Sequence, residues 1–154
     1  MEIIVGLGEI GVSDNENAKI KTFALGSCVA MTVFHPQMRA AGMIHIVLPK
    51  PLNEKDIRER PGYFAETGVP LLIDTFCNSF YCLKQQLVIQ IYGGADSKNE
   101  NDVFQVGKRN VNAVKNILDN MGLNIAKSDI GGYESRTVEM DVKTGKIIVS
   151  KRIF

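Results

Sequence analysis

The 154-residue chain has little net charge, few cysteines and no long hydrophobic run. Eighteen Lys plus Arg against seventeen Asp plus Glu leave +1, which argues against a polyanion, and so against nucleic acid, as the main partner. Its longest apolar runs, such as Val69 to Ile73 and Leu87 to Ile91, fall far short of a bilayer span, so no membrane insertion is expected. Met1-Glu2-Ile3-Ile4-Val5 lacks a basic leader, and polar residues soon interrupt it, which does not read as a signal peptide. Three cysteines are too few for a disulfide framework and point to a reducing, cytoplasmic setting. There is no internal repeat, low-complexity tract or Pro- or Ser-rich linker, and the length suits one domain over 1–154.

What is present is an ordinary globular balance, 45% hydrophobic and 23% charged. Strands are expected over Glu2–Leu7, Ala18–Phe23, Cys28–Phe34, Gly42–Leu48 and Gln86–Tyr92, and a hairpin over Glu134–Val142 and Lys146–Ile153. Tyr63–Gln85 reads as helical, with residues 71, 72, 76, 80 and 83 on a buried face and with Gly68 and Pro70 leaving one helix or two open. A further helix runs from about Lys108 to Met121, stopped by Gly122, and Ala95–Val106 reads as a polar loop. Strands and helices without regular alternation predict an α+β fold of layers.

Gly6-Leu7-Gly8-Glu9-Ile10-Gly11 matches the dinucleotide G-x-G-x-x-G pattern, but no amphipathic helix follows to hold a pyrophosphate. Those glycines are expected to serve a bend. The sharper feature is Leu25-Gly26-Ser27-Cys28, a turn that delivers a cysteine to the start of a strand, with His45 on the facing arm. A two-residue loop at Pro36-Gln37 would pair residue i with 73 − i, and a four-residue loop, Pro36 to Arg39, with 75 − i. Either register puts Cys28 and His45 on one face, with Cβ atoms roughly 5–8 Å apart; a three-residue loop would separate them. An imidazole beside a thiol generates the nucleophilic thiolate and later protonates a leaving amine. Thr22 is the candidate to orient the histidine, and the N–H groups of the Gly26-Ser27-Cys28 turn are candidate oxyanion donors.

The plainer alternative is that Cys28 and His45 are core residues. Cys77 and Cys82, five positions apart, do not share a helical face and read as core. A zinc site of Cys28, His45, Cys77 and Cys82 lacks the close C-x₂-C pairing of structural sites. His35 reads as a solvated turn residue, and the alternating charges Glu54 to Arg60 as a solvated face. Asn110 either caps the second helix or, with Arg109, holds the Gly93-Gly94 turn. Arg136 reads as an exposed arginine, either contacting an acidic receptor segment or, as is usual for such a residue, doing nothing so specific. Phe104, aromatic in a polar loop, is either an exposed partner anchor or, more commonly in such a setting, folded onto the core.

With these residues laid out, the chain resembles the CheD family of chemoreceptor glutamine deamidases nearly end to end. The resemblance rests on Leu25-Gly26-Ser27-Cys28-Val29, His45-Ile46-Val47-Leu48-Pro49, Tyr92-Gly93-Gly94-Ala95, Val106-Gly107-Lys108-Arg109-Asn110, Asp129-Ile130-Gly131-Gly132 and Ser135-Arg136. It implies a layered α/β/β sandwich of mixed sheets, with two or three helices on one face. It also implies a cysteine hydrolase with Cys28, His45 and Thr22 as nucleophile, base and supporting hydroxyl. No metal or organic cofactor is implied. Methyl-accepting chemoreceptors would be the substrate, and a CheC-type phosphatase of the response regulator a frequent partner. The alternative reading is a non-catalytic adaptor that docks on receptors or regulates such a phosphatase.

Overall fold

The computed structural model describes every residue except 100, 102 and 154. In chain order it contains β1 (Glu2–Ile4), β2 (Ile10–Ser13), β3 (Lys19–Leu25), β4 (Val29–His35), β5 (Ala40–Ile46), α1 (Glu54–Glu59), α2 (Ala65–Phe80), β6 (Val88–Gly93), α3 (Val106–Asn120), β7 (Ile125–Ile130), β8 (Glu134–Asp141) and β9 (Ile147–Ile153). Two mixed sheets result, one ordered β1-β3-β8-β9 and the other β2-β5-β4-β6-β7. In the first β1 runs parallel to β3, and in the second β7 runs parallel to β6; the other pairings are antiparallel.

The five-stranded sheet lies in the middle. Every residue of β5, and all but one of β4, is buried, because helices cover one face and the four-stranded sheet the other. Strands covered on both faces read as continuous apolar runs rather than alternating ones. Val29, Met31, Val33, Ile44 and Ile46 pack against Leu72, Ile73 and Phe76 of α2 and Val114 and Leu118 of α3. The opposite faces of the same strands give Ala30, Ala41 and Met43, which meet Ile20, Val138 and Met140 of the outer sheet. This is the expected α+β sandwich.

The β4–β5 hairpin takes the four-residue loop. His35 pairs with Ala40 and Ala30 with His45, which is the 75 − i register. The terminal hairpin also forms as expected, with Glu134 opposite Ile153 and Met140 opposite Ile147. Other expectations need correction. The first strand stops at Ile4 and the chain crosses between sheets: Gly8 turns with φ +72°, and β2 then pairs with β5. The G-x-G-x-x-G glycines therefore serve a sheet-to-sheet bend followed by a strand. The stretch 63–85 forms one α-helix rather than two, but that helix covers only 65–80. Tyr81 takes the left-handed conformation and donates its amide to the Cys77 carbonyl, ending the helix, so Leu83 is exposed rather than on the buried face. Strand β7 was not expected; its sequence, Ile125-Ala126-Lys127-Ser128-Asp129-Ile130, carries little apolar signal at a sheet edge.

His35 is buried, not solvated: its Nδ1 accepts the Met38 amide at 3.2 Å and closes the hairpin loop. Arg136 is also buried. Its guanidinium pairs with Asp129 at 3.2 Å and donates to the Gly131 carbonyl at 2.9 Å, so it braces the β7–β8 turn rather than facing a partner.

Candidate active site

The site is built where the two sheets face each other. Strand β3 carries Thr22 and then bulges: the pairing with β8 shifts between Thr22 and Leu25, and Ala24 adopts φ +53°. The bulge ends the strand and lets Leu25-Gly26-Ser27 turn into Cys28, which leads β4. Cys28 lies two residues before Ala30, the partner of His45, so thiol and imidazole are diagonal neighbours on the face turned toward the outer sheet.

Thr22 reaches across from that outer sheet. Its hydroxyl donates to the Val5 carbonyl at 2.6 Å and lies 2.7 Å from His45 Nδ1. The hydroxyl proton is committed to Val5, so Nδ1 must carry a proton and donate it to Thr22. That assignment leaves Nε2 as the ring's acceptor, and Nε2 is buried without a hydrogen-bond partner among the described residues. No hydrogen bond from the Cys28 thiol fills it in this state; catalytic contacts often tighten only once substrate is bound. Burial lowers the His45 pKa to about 4. Burial also raises the Cys28 thiol, partly offset by its own backbone N–H. The resting pair at neutral pH is therefore thiol and neutral imidazole, not the preformed thiolate–imidazolium pair that adjacency alone suggests.

Two further segments close around the turn. A Cβ at Gly93 would collide with the Cys28 carbonyl oxygen, and one at Gly107 with the Ala95 carbonyl, so both glycines permit close backbone approach. Asn110, fully buried on α3, neither caps the helix nor holds Gly93-Gly94. Its Nδ2 donates to the carbonyls of Ser27 and Val47, at 2.9 Å each. Its Oδ1 is buried and has no hydrogen-bond partner among the described residues, a cost of roughly 1–3 kcal/mol. The sequence reading missed this role; the one signal for it is that Val106-Gly107-Lys108-Arg109-Asn110 is among the segments that carry the family resemblance.

A cleft of about 530 Å³ borders the turn, lined by Gly26, Ser27, Ala95, Asp96, Lys98 and Gly107 among others. Val103 and Phe104 are 82% and 66% exposed, so the aromatic does not fold back onto the core. Cys77 and Cys82 do come together, with sulfurs 3.8 Å apart, because the chain turns sharply at Tyr81. The zinc alternative does not assemble: among the described residues no three His, Cys, Asp or Glu side chains gather as metal ligands. No helix among them is long and apolar enough to cross a membrane.

A cysteine and a histidine thus share one sheet face, with a threonine hydroxyl on the ring's Nδ1 and no partner on its Nε2 among the described residues. The family model described as "CheD chemotactic sensory transduction" matches residues 47–151. The chain is 43% identical over 151 residues to the "Probable chemoreceptor glutamine deamidase CheD" of Syntrophotalea carbinolica, covering 97% of this chain and 93% of that protein. It is 35% identical to the "Chemoreceptor glutamine deamidase CheD" of Thermotoga maritima, with 98% and 92% covered. To the "Probable chemoreceptor glutamine deamidase CheD" of Methanococcus maripaludis it is also 35% identical, with 98% and 96% covered. The chain belongs to the CheD family.

Proposed function

We propose that this chain is one cytoplasmic cysteine-hydrolase domain that converts particular glutamines of chemoreceptors to glutamate, with Cys28 as nucleophile, His45 as base and Thr22 as its orienting hydroxyl. The observation that carries the reading is the hydrogen-bond relay Val5–Thr22–His45, which leaves a buried, unpartnered and unprotonated Nε2 on the sheet face that Cys28 shares. The names of its relatives and its membership of their family support the substrate.

Nε2 takes the thiol proton as sulfur attacks the side-chain carboxamide carbon, so a C–S bond forms and the carbonyl oxygen becomes an oxyanion held by turn amides at Gly26, Ser27 and Cys28. As the tetrahedral centre collapses, His45 returns the proton to nitrogen, the C–N bond breaks and ammonia leaves. Water, deprotonated by His45 Nε2, then adds to the thioester carbon; the C–S bond breaks, Nε2 returns the proton to sulfur, and glutamate leaves with the thiol restored. Two buried neutral partners suit this course, since the proton moves only when the attack begins.

Cys28→Ala is expected to reduce ammonia release from a receptor fragment by on the order of 10⁴-fold or more while leaving the thermal midpoint near the parent's. Glutamine-to-glutamate conversion persisting in that variant, read by peptide mass, would remove Cys28 from the reaction. Exposed Val103 and Phe104 favour a second activity beside the first, docking of a partner such as a CheC-type phosphatase. Binding of that phosphatase unchanged in Phe104→Ala would remove Phe104 from any such contact.

A further inference from the structure

Three consecutive carbonyls of the nucleophile turn are pinned. The Gly26 oxygen accepts the Ala95 amide at 2.8 Å, the Ser27 oxygen accepts Asn110 Nδ2 at 2.9 Å, and the Cys28 oxygen accepts the Gly94 amide at 2.8 Å. The outer two anchors are backbone groups; only the middle one is a side chain. In a trans peptide the C=O and the following N–H point in opposite directions. Drawing the Ser27 carbonyl toward α3 therefore sends the Cys28 N–H to the other side of the turn. That N–H lies close enough to its own sulfur to offset part of the effect of burial on the thiol. Among the described residues, neither the Ser27 nor the Cys28 amide donates to a backbone carbonyl.

Resting on the deamidase reading, we infer that Asn110 is a positioning residue: by holding the Ser27 carbonyl, it aims the Cys28 N–H at the place where the oxyanion of the substrate amide develops. The orientation of the carboxamide is forced, because a flipped Asn110 would set Oδ1 against two carbonyl oxygens. Its second bond, to Val47, falls two residues after His45 in the chain, so one side chain ties the nucleophile's turn to the end of the base's strand.

The test uses the full-length chain with Asn110→Asp and, should that variant not fold, Asn110→Ser. Asp keeps the shape but loses the two donors, and Ser is too short to span both carbonyls. Ammonia release from a receptor fragment gives kcat and KM, normalised to titratable Cys28 thiol. Alkylation of Cys28 by iodoacetate supplies the control, since direct displacement at carbon needs a nucleophilic sulfur but no oxyanion donor. The expected result is a kcat lower by about 10²-fold, with KM and the alkylation rate each within about threefold of the parent's. A folded variant whose kcat stays within about threefold overturns the inference. So does a parallel collapse of alkylation, which would mean that the thiol–imidazole geometry itself had been lost, and so does failure of both variants to fold. A parent chain that releases no ammonia sinks the deamidase reading, and this inference with it.

Discussion

The two faces of the central sheet are built from the same strands and differ in what they hold. The helix side is filled by Val29, Met31, Val33, Ile44 and Ile46, large aliphatic side chains that seat α2 and α3. The outer-sheet side carries Ala30, Thr32, Ala41, Met43 and His45. Ala30, Thr32 and Ala41 are small, and from the second sheet packed on this face Thr22 reaches the imidazole. The lesson is a division of labour within single strands: alternate residues serve cohesion and the proposed site, and a one-residue slip would exchange them.

Leu72→Ala on the helix side should cost about 4 kcal/mol of unfolding free energy, since Leu72 is fully buried and its truncation removes apolar contacts and leaves a cavity. The rate of Cys28 alkylation per folded molecule should not change. If denaturant titration shows the loss and alkylation falls with it, the two faces are not independent.

Acid sharpens the contrast from the other side. The unfolded chain protonates His45 near its ordinary value of 6.5, whereas the folded chain resists until about 4. Between those values the unfolded state binds the extra proton, so stability present above pH 6.5 declines as pH falls and the loss is complete near pH 4. The shift corresponds to about 3 kcal/mol at most. His45→Gln should flatten that part of the stability curve. Cys28 alkylation in the parent should likewise hold level through neutral pH and drop as pH approaches 4, when Nε2 is filled. An unchanged slope in His45→Gln would assign the acid sensitivity to other groups.

Legibility in the sequence followed the same divide between local and distant causes. The β4–β5 hairpin, its possible registers and the shared face of Cys28 and His45 came from alternation and loop length, which are local. The exit from helix α2 did not, because an exposed tyrosine takes the left-handed cap position that glycine or asparagine usually marks, so the residue type carries no stop signal. Asn110 was illegible for a stronger reason. Its partner Ser27 is 83 positions away, and nothing in the helical pattern around it distinguishes a side chain that reaches two carbonyls from one that caps. Strand β7 was missed because an edge strand paired on one side needs little apolar content.

Thr22→Val tests the contact on which the chemical face depends while preserving side-chain shape. Two groups lose their partner at once: the Val5 carbonyl, which accepts the hydroxyl proton, and His45 Nδ1–H, which donates to the oxygen. Leaving them unpaired in a buried setting should lower stability by about 2 kcal/mol. The larger consequence for chemistry is the tautomer. Without an acceptor at Nδ1 the ring proton is free to move to Nε2, and an Nε2–H imidazole cannot accept a proton from sulfur. Turnover and Cys28 alkylation at neutral pH should therefore fall together, by about 10²-fold, in contrast to the split expected for Asn110. Thr22→Ser, which keeps the hydroxyl, should recover most of the rate. Were Thr22→Val to lose stability alone, with alkylation intact, the threonine would belong with the cohesive side of the sheet, and something else would have to hold the histidine's proton away from the sulfur.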